Sequence, residues 1–351
     1  RSHYRETLIM TSKKPKIAIV GATGNVGREV LDIIDDREIQ YSDLIALASK
    51  KSEGMEINYG EDKSITVKNL NDYDFKGTDI AIFSAGASVS SEYASIAAKQ
   101  GCIVIDNTSH FRTDPDVPLV VSEVNPQDIK NFRKKNIIAN PNCSTMGMLV
   151  AIKPLHDQFK VKRLVVSTYQ SVSGAGKEGE DELDNQTRNL INNKPITKQK
   201  FTKQIAFNLI PHIDVFLEDG QTKEEWKMYQ ETKKILDESI ELTATCVRVP
   251  VFVSHSIAVN VEFEKPYEEA HVREIFKNAP GLKAVDFRVD EGYVTPVEVA
   301  GLDPVYVSRI RRDKTIANGL NFWCVSDNLR KGAALNTVQI AEILIKDHLS
   351  S

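Results

Sequence analysis

What this sequence has little of already narrows its class. Among 351 residues there are four cysteines, Cys102, Cys143, Cys246 and Cys324. They are too few and too scattered for a disulfide scaffold or a clustered zinc site, so no metal is expected and a reducing cytoplasm is the expected setting. Positive charge is not in excess: 45 Lys and Arg stand against 49 Asp and Glu, a formal net charge of −4. The basic footprint of a nucleic-acid binder is missing. Long hydrophobic runs are missing as well. The longest uncharged stretch rich in apolar residues, from Ile137 to Ile152, is too short to span a bilayer and is interrupted by Asn140, Pro141, Asn142 and Ser144. No membrane segment is expected. Residues 1–9 carry no apolar core or small-residue cleavage site and precede Met10, so they read as a tag remnant or a disordered extension.

What is present divides into two textures. Up to about residue 145, short β-branched runs alternate with amphipathic stretches, the pattern of βαβ units on a parallel sheet. Strands are predicted over Lys16 to Val20, Leu44 to Ala48, Ile80 to Phe83, Ile103 to Asp106 and Leu119 to Val121. Helices are predicted over Gly24 to Ile34, Ser90 to Gln100 and Pro126 to Lys134. Beyond Cys143 a helix over Thr145 to Gln158 leads into long strands, Arg163 to Gln170, Glu241 to Val251, Ser256 to Glu264 and Val305 to Ile310. Alternation in Ser256-Ile-Ala-Val-Asn-Val261 indicates antiparallel strands with one buried face. Gly332 to His348 reads as a C-terminal amphipathic helix. The chain is therefore expected to be an α/β domain followed by an α+β domain with a mainly antiparallel sheet.

The first strand runs into Gly21-Ala-Thr-Gly-Asn-Val-Gly27, followed by an amphipathic helix. Glycines at that junction allow a tight turn and close approach of backbone to a pyrophosphate, while the helix N-terminus supplies oriented N–H donors. In its strand and helix context this GxxGxxG run marks a Rossmann-type dinucleotide site. An NAD site commonly places an acid at the end of the second strand to bind the ribose 2′-hydroxyl. Here that strand ends in Ser49-Lys50-Lys51-Ser52, with no acid until Glu53. Hydroxyls and ammonium groups suit a 2′-phosphate, so NADP is the expected cofactor.

Asn140-Pro-Asn-Cys-Ser-Thr145 places Cys143 at the N-terminus of the predicted helix, where the dipole favours thiolate. Cys102, Cys246 and Cys324 lie in apolar strand patterns and read as core residues. A cysteine nucleophile needs an acid/base partner. His255 sits at a turn between long strands and is the leading candidate, with His110 and His212 still open on spacing alone.

Several motifs together resemble aspartate-β-semialdehyde dehydrogenases of the bacterial type. They are Gly21 to Gly27, Asn107-Thr-Ser-His-Phe-Arg112, Asn140 to Thr145, Tyr169-Gln-Ser-Val-Ser-Gly-Ala-Gly176, Glu224-Glu-Trp-Lys-Met228, Arg248-Val-Pro-Val251, Ser254-His-Ser256 and Asp327-Asn-Leu-Arg-Lys-Gly-Ala-Ala334. They occur in the family's order from Lys16 onward. The resemblance implies an NADPH-dependent reductive dephosphorylation of L-aspartyl 4-phosphate to L-aspartate 4-semialdehyde. That step feeds the biosynthesis of lysine through diaminopimelate, and of threonine, methionine and isoleucine.

By the same resemblance, Cys143 is the nucleophile and His255 the general acid/base. Arg248 is expected to bind the substrate carboxylate, Glu224 its ammonium group, Arg112 and Lys227 the phosphoryl group, with Gln170 and Asn142 helping to position substrate. Gly21, Thr23, Gly24, Asn25, Val26, Gly27, Lys51, Ser52, Ser173, Gly174 and Asn328 fall at cofactor positions. The implied partners are small molecules and a second copy of the chain in a homodimer, with neither nucleic acid nor membrane. The domains are expected over 10–142 plus 328–351, binding NADP, and over 143–327, carrying catalysis and dimerisation. Many relatives have Arg where this chain has Lys50-Lys51, which puts a point charge in place of a bidentate guanidinium. The rivals are N-acetyl-γ-glutamyl-phosphate reductase, whose substrate has no free ammonium for Glu224, glyceraldehyde-3-phosphate dehydrogenase, which requires the absent acid, and a non-catalytic NADP-binding sensor.

Overall fold

The computed structural model describes residues 14–349, so the reading of residues 1–9 lies outside it. The chain folds as two compact units, one formed by the residues up to Asn140 together with those from Ala334 onward, the other by Pro141–Ala333.

The first unit is built on a seven-stranded sheet in the order β3-β4-β2-β1-β5-β6-β7. β1 (Lys16–Val20), β2 (Asp43–Ala48), β5 (Ile80–Phe83), β6 (Ile103–Asp106) and β7 (Ile137–Ala139) are mutually parallel. β4 (Lys63–Asn69) joins β2 in parallel, and β3 (Glu56–Tyr59) pairs with β4 as an antiparallel edge. The four central strands, β2, β1, β5 and β6, are apolar except at their ends, where Asp43, Lys16 and Asp106 stand, because both sheet faces are covered. On one face the helix Asn25–Asp36 buries Val30, Leu31, Ile33 and Ile34 in a cluster shared with Val338, Ala341 and Leu344 of the helix Leu335–Asp347. The C-terminal helix thus completes the first unit.

Two predicted elements differ. Leu119 to Val121 is not a strand but a segment with one bridge, Leu119 to Ala139. Its polar groups are met by a side chain instead, since Asn125 Oδ1 accepts the Val121 N–H and Asn125 Nδ2 donates to the Leu119 carbonyl. Pro126–Lys134 is a 3-10 helix.

The second unit carries a six-stranded mixed sheet in the order β11-β12-β13-β10-β8-β9. β10 (His255–Phe263) lies between β8 (Val161–Gln170) and β13 (Gly319–Ser326), antiparallel to both. β12 (Val305–Asp313) is antiparallel to β13, while β9 (Glu241–Arg248) and β11 (Leu282–Ala284) join in parallel at the two edges. The helix Cys143–Phe159 is buried over most of its length. Its apolar residues surround the turns rather than striping one face, as a helix enclosed on all sides requires.

The unit boundaries differ from expectation by a few residues. Asn142 belongs to the second unit because Glu224 and Glu231 hold it, and Asn328 belongs there because its side chain bonds Ser171 and Ser173.

Candidate active site

In the first unit, the turn after β1 is shaped by steric exclusion. Gly21 has φ of +87°, and a β-carbon there would lie 2.3 Å from the Ser84 carbonyl oxygen. One on Gly27 would lie 2.2 Å from the Gly21 oxygen. Both positions therefore demand glycine for the turn and for close packing of helix on strand. Gly24 is exposed and meets nothing closer than 3.6 Å, so its smallness serves no contact within the protein. The Gly21 and Ala22 N–H groups both donate to the Leu47 carbonyl, which ties this turn to the end of β2. Immediately beyond β2, Lys50–Ser52 forms a 3-10 turn with Lys51 exposed and Ser52 half-buried. No side chain caps the helix Asn25–Asp36 at Gly24. The arrangement fits a dinucleotide: a close-approach glycine, an uncapped helix start and a cation just beyond the strand that moors the turn.

Arg112 also belongs to this unit. It is buried, with Nε donating to the Asn140 carbonyl at 2.9 Å and Nη2 to the Asn107 carbonyl at 3.1 Å. The turn that carries it is fastened by Asp106, whose carboxylate accepts from Ser90 Oγ and from both the N–H and hydroxyl of Thr108. Burial raises the Asp106 carboxyl from its ordinary range, and these bonds with the Arg112 charge oppose that rise.

In the second unit, Cys143 is the first residue of its helix and Asn142 is the N-cap, its side chain accepting the Ser144 N–H at 3.0 Å. Cys143 Sγ lies 3.1 Å from His255 Nε2. The other ring nitrogen decides what that contact is. His255 Nδ1 accepts the Ser171 backbone N–H at 3.0 Å. A backbone N–H can only donate, so Nδ1 presents its lone pair and the neutral ring carries its proton on Nε2, facing sulfur. Complete burial, and then the Arg248 charge, hold this imidazole well below the usual histidine range. At neutral pH His255 is a neutral donor toward Cys143.

The remaining cysteines differ in kind. Cys143 is half-buried, whereas Cys102, Cys246 and Cys324 are buried. Burial pushes the Cys324 thiol up to about 12 and the Cys102 and Cys246 thiols up as well. They are poor nucleophiles.

Around the pair stands a polar cluster. Glu224 accepts from Asn142 Nδ2 at 3.0 Å and from Gln170 Nε2 at 2.9 Å, with Lys227 Nζ 3.7 Å away. Lys227 is also paired with Asp214 at 3.1 Å. Burial alone would raise the Asp214 carboxyl, but the Val215 N–H and the Lys227 ammonium bring it below its ordinary value. Arg248, the last residue of β9, is buried and donates from Nη1 to the Ser171 carbonyl at 2.8 Å, while its Nε has no hydrogen-bond partner among the described residues. A buried guanidinium N–H left in that state is a site for an anionic ligand oxygen. Gly174 lies beside it, where a β-carbon would stand 3.1 Å from both Arg248 Nη1 and His255 Cε1.

The second unit thus brings together Cys143, His255, Asn142, Gln170, Glu224, Lys227 and Arg248, with Ser173, Gly174 and Asn328 nearby. The glycine turn, Lys51, Ser52 and Arg112 are in the first. His110 packs edge-on against Phe111, and His212 stacks on Phe216.

Comparison with known proteins agrees with this architecture. Residues 16–132 match a family model described as semialdehyde dehydrogenase, NAD binding domain, and residues 152–331 match semialdehyde dehydrogenase, dimerisation domain. An aspartate-semialdehyde dehydrogenase of Aquifex aeolicus is 53% identical over 95% of this chain and 99% of its own. One from Rickettsia typhi is 49% identical over 96% of this chain and 100% of its own. The chain belongs to the aspartate-semialdehyde dehydrogenase family. Its class is that of an oxidoreductase enzyme. A solved structure of aspartate semialdehyde dehydrogenase II from Vibrio cholerae, complexed with ASA, superposes with a TM-score of 0.93 at 48% identity, covering 96% of this chain and 100% of that one.

Within this family fold, three partners of the site were not anticipated from sequence. Ser171 sets the state of His255. Glu231 accepts the Asn142 N–H at 2.6 Å and so holds the residue before the cysteine. Asp214 pairs with Lys227. A signal existed for Glu231, since Glu224, Met228 and Glu231 recur at the spacing of one helical face and all three are buried in the helix Lys223–Ile235. Among the described residues no group of three or more His, Cys, Asp or Glu could hold a metal, and no helix is long and apolar enough to cross a membrane.

Proposed function

We propose that the chain catalyses the NADPH-dependent reductive dephosphorylation of L-aspartyl 4-phosphate to L-aspartate 4-semialdehyde through a thioester on Cys143. The contact of Cys143 Sγ with His255 Nε2, at the start of a buried helix, carries the reading. Thiolate is favoured at a helix N-terminus, and the Nε2–H donates to it without taking its proton back. Sulfur attacks the acyl carbon, and the C–O bond to phosphate breaks with its electron pair leaving on phosphate. NADPH, when bound, would supply the hydride for the thioester carbon. His255 then donates to the negative charge on oxygen and sulfur as the thiohemiacetal forms and collapses, releasing aldehyde and regenerating thiolate.

Arg248 meets the substrate carboxylate through its unpartnered Nε and its planar fork. Glu224, already oriented by Asn142 and Gln170, meets the ammonium group. Lys227 and Arg112 serve the phosphoryl group. Thr23, Gly24, Asn25 and Val26 line the dinucleotide turn, Lys51 and Ser52 take the 2′-phosphate, and Ser173 and Gly174 are the cofactor positions of the second unit. The match to a dimerisation domain supports a homodimer formed through that unit. The setting is cytoplasmic, and the product feeds synthesis of lysine, threonine, methionine and isoleucine. The test is the reverse reaction. Purified protein should reduce NADP⁺ with L-aspartate 4-semialdehyde only when inorganic phosphate is present. Turnover independent of phosphate, or a preference for N-acetyl-L-glutamate 5-semialdehyde, would overturn the assignment.

A further inference from the structure

Behind His255 lies a buried set of amide and hydroxyl groups whose bonds to one another the chemistry above does not use. Asn328 is 2% exposed. Its Oδ1 accepts the Ser254 N–H at 2.9 Å, Ser171 Oγ at 3.0 Å and Ser173 Oγ at 3.3 Å, and its Nδ2 donates to Ser173 Oγ at 2.9 Å. Two of these contacts lead directly to the imidazole. Ser171 gives its backbone N–H to His255 Nδ1. Ser254 precedes His255 in the chain, is fully buried, and has φ of +83°. A serine holds that left-handed conformation only where its surroundings impose it.

We infer that Asn328 is a positioning residue for His255: by joining the Ser171 turn to the Ser254–His255 turn, it keeps Nδ1 an acceptor and the ring proton on Nε2, opposite Cys143. The Ser171 hydroxyl, 3.2 Å from Nδ1, does not decide the matter, because Oγ can accept as well as donate. The backbone N–H decides it, and Asn328 fixes where that N–H points. Without the amide, Ser254 loses the bond that holds its strained conformation, and the tautomer with hydrogen on Nδ1, donating to Ser171 Oγ, becomes accessible. In that tautomer Nε2 no longer has a proton to offer. Asn328 acts on the reacting sulfur through three successive contacts, Asn328 to Ser171, Ser171 to His255 and His255 to Cys143.

This inference rests on reading His255 as the acid, and its test has an arm that needs no turnover. Protein labelled with 15N-histidine would be examined at neutral pH by two-bond proton–nitrogen correlation, with His255 assigned by its disappearance in His255→Asn. Wild-type protein should show the Nε2–H tautomer. In Asn328→Ala the His255 signals should move toward a mixture of tautomers. In the reverse assay kcat should fall about tenfold or more, with KM for semialdehyde and NADP⁺ held within about threefold, since an acid that is only partly available loses part of its contribution. Asn328→Ser keeps a polar atom at this place but is too short to reach both the Ser254 N–H and Ser171 Oγ; it should shift both readouts the same way by less, which keeps the test open if Asn328→Ala does not fold. An Nδ1–H tautomer in wild type overturns the inference, as do His255 spectra unchanged in both variants. So does a raised KM for NADP⁺ at unchanged kcat in Asn328→Ala, which would make Asn328 a cofactor contact. A protein inactive on semialdehyde but showing Nε2–H and its loss would instead count against the substrate assignment.

Discussion

The two units prepare for chemistry with different materials. In the first, the dinucleotide turn is made of backbone: Gly21 and Gly27 are required because any side chain would strike main-chain oxygen, and the N–H groups of Gly21 and Ala22 moor the turn to β2. In the second, most of the atoms that matter belong to a side chain or are aimed by one: Cys143 by Asn142, Asn142 by Glu224 and Glu231, Gln170 by Thr168. Backbone recognition suits a pyrophosphate, which offers the same oxygens in every dinucleotide. Side-chain networks suit a reaction in which one proton and one sulfur must be held to a fraction of an ångström.

The sharpest way to separate the two is Cys143→Ala. Phosphate-dependent turnover should fall by about 10⁴-fold or more, while NADPH binding followed by fluorescence titration stays within about threefold. Iodoacetamide should label the native wild-type protein once, at Cys143, and this variant not at all. Loss of cofactor binding would break the comparison. Gly27→Ala makes the opposite cut. Its β-carbon meets the Gly21 oxygen at 2.2 Å, so the turn must open. NADPH should bind about 30-fold more weakly, a loss of about 2 kcal/mol in the range set by backbone strain, with the rate of Cys143 alkylation unchanged. Glu231→Ala leaves the buried Asn142 N–H without its acceptor, a loss of about 1–3 kcal/mol in stability. It should lower kcat about tenfold through the displaced cysteine, and a lower Tm with full kcat would show that Glu231 serves stability alone. The smallest effect is expected at Lys51→Ala, where one exposed charge is worth about 1 kcal/mol or less. KM should rise about threefold for NADPH and not for NADH, and equal changes for both would remove Lys51 from the 2′-phosphate.

How much of this was legible in the sequence follows the same division. The glycine turn and the helix start at Cys143 are contiguous in the chain, and their chemistry could be read from neighbours: a buried strand, a turn, an amphipathic helix. The strands β1, β5 and β6 follow from the same local logic. The edge pair β3 and β4 was not seen, because its charged residues hide the alternation that marks a half-buried strand. β13 shows in the sequence only as the apolar pattern around Cys324. The network behind the site was illegible for a different reason. Ser171 and His255 are 84 residues apart, Ser171 and Asn328 are 157 apart, and Asn142 and Glu231 are 89 apart. No local pattern encodes such pairings. Resemblance supplied Cys143, His255, Arg248 and Glu224 as a set, but not the bonds that orient them. Asn328 shows the gap best, since its motif suggested a cofactor position and its side chain is spent on three serines.

Gly174 sets a limit on how this site can change. A β-carbon there would stand 3.1 Å from Arg248 Nη1 and from His255 Cε1, and neither neighbour is at liberty to retreat: the guanidinium is tied to the Ser171 carbonyl, the imidazole to the Ser171 N–H and Cys143. Every single-residue exchange at this position therefore moves either the acid or the anion-binding fork. Substrate range at this corner can be altered only through paired changes, in which Arg248 or the Ser171 turn shifts before the glycine does, and a library that varies one position at a time will recover only glycine at position 174.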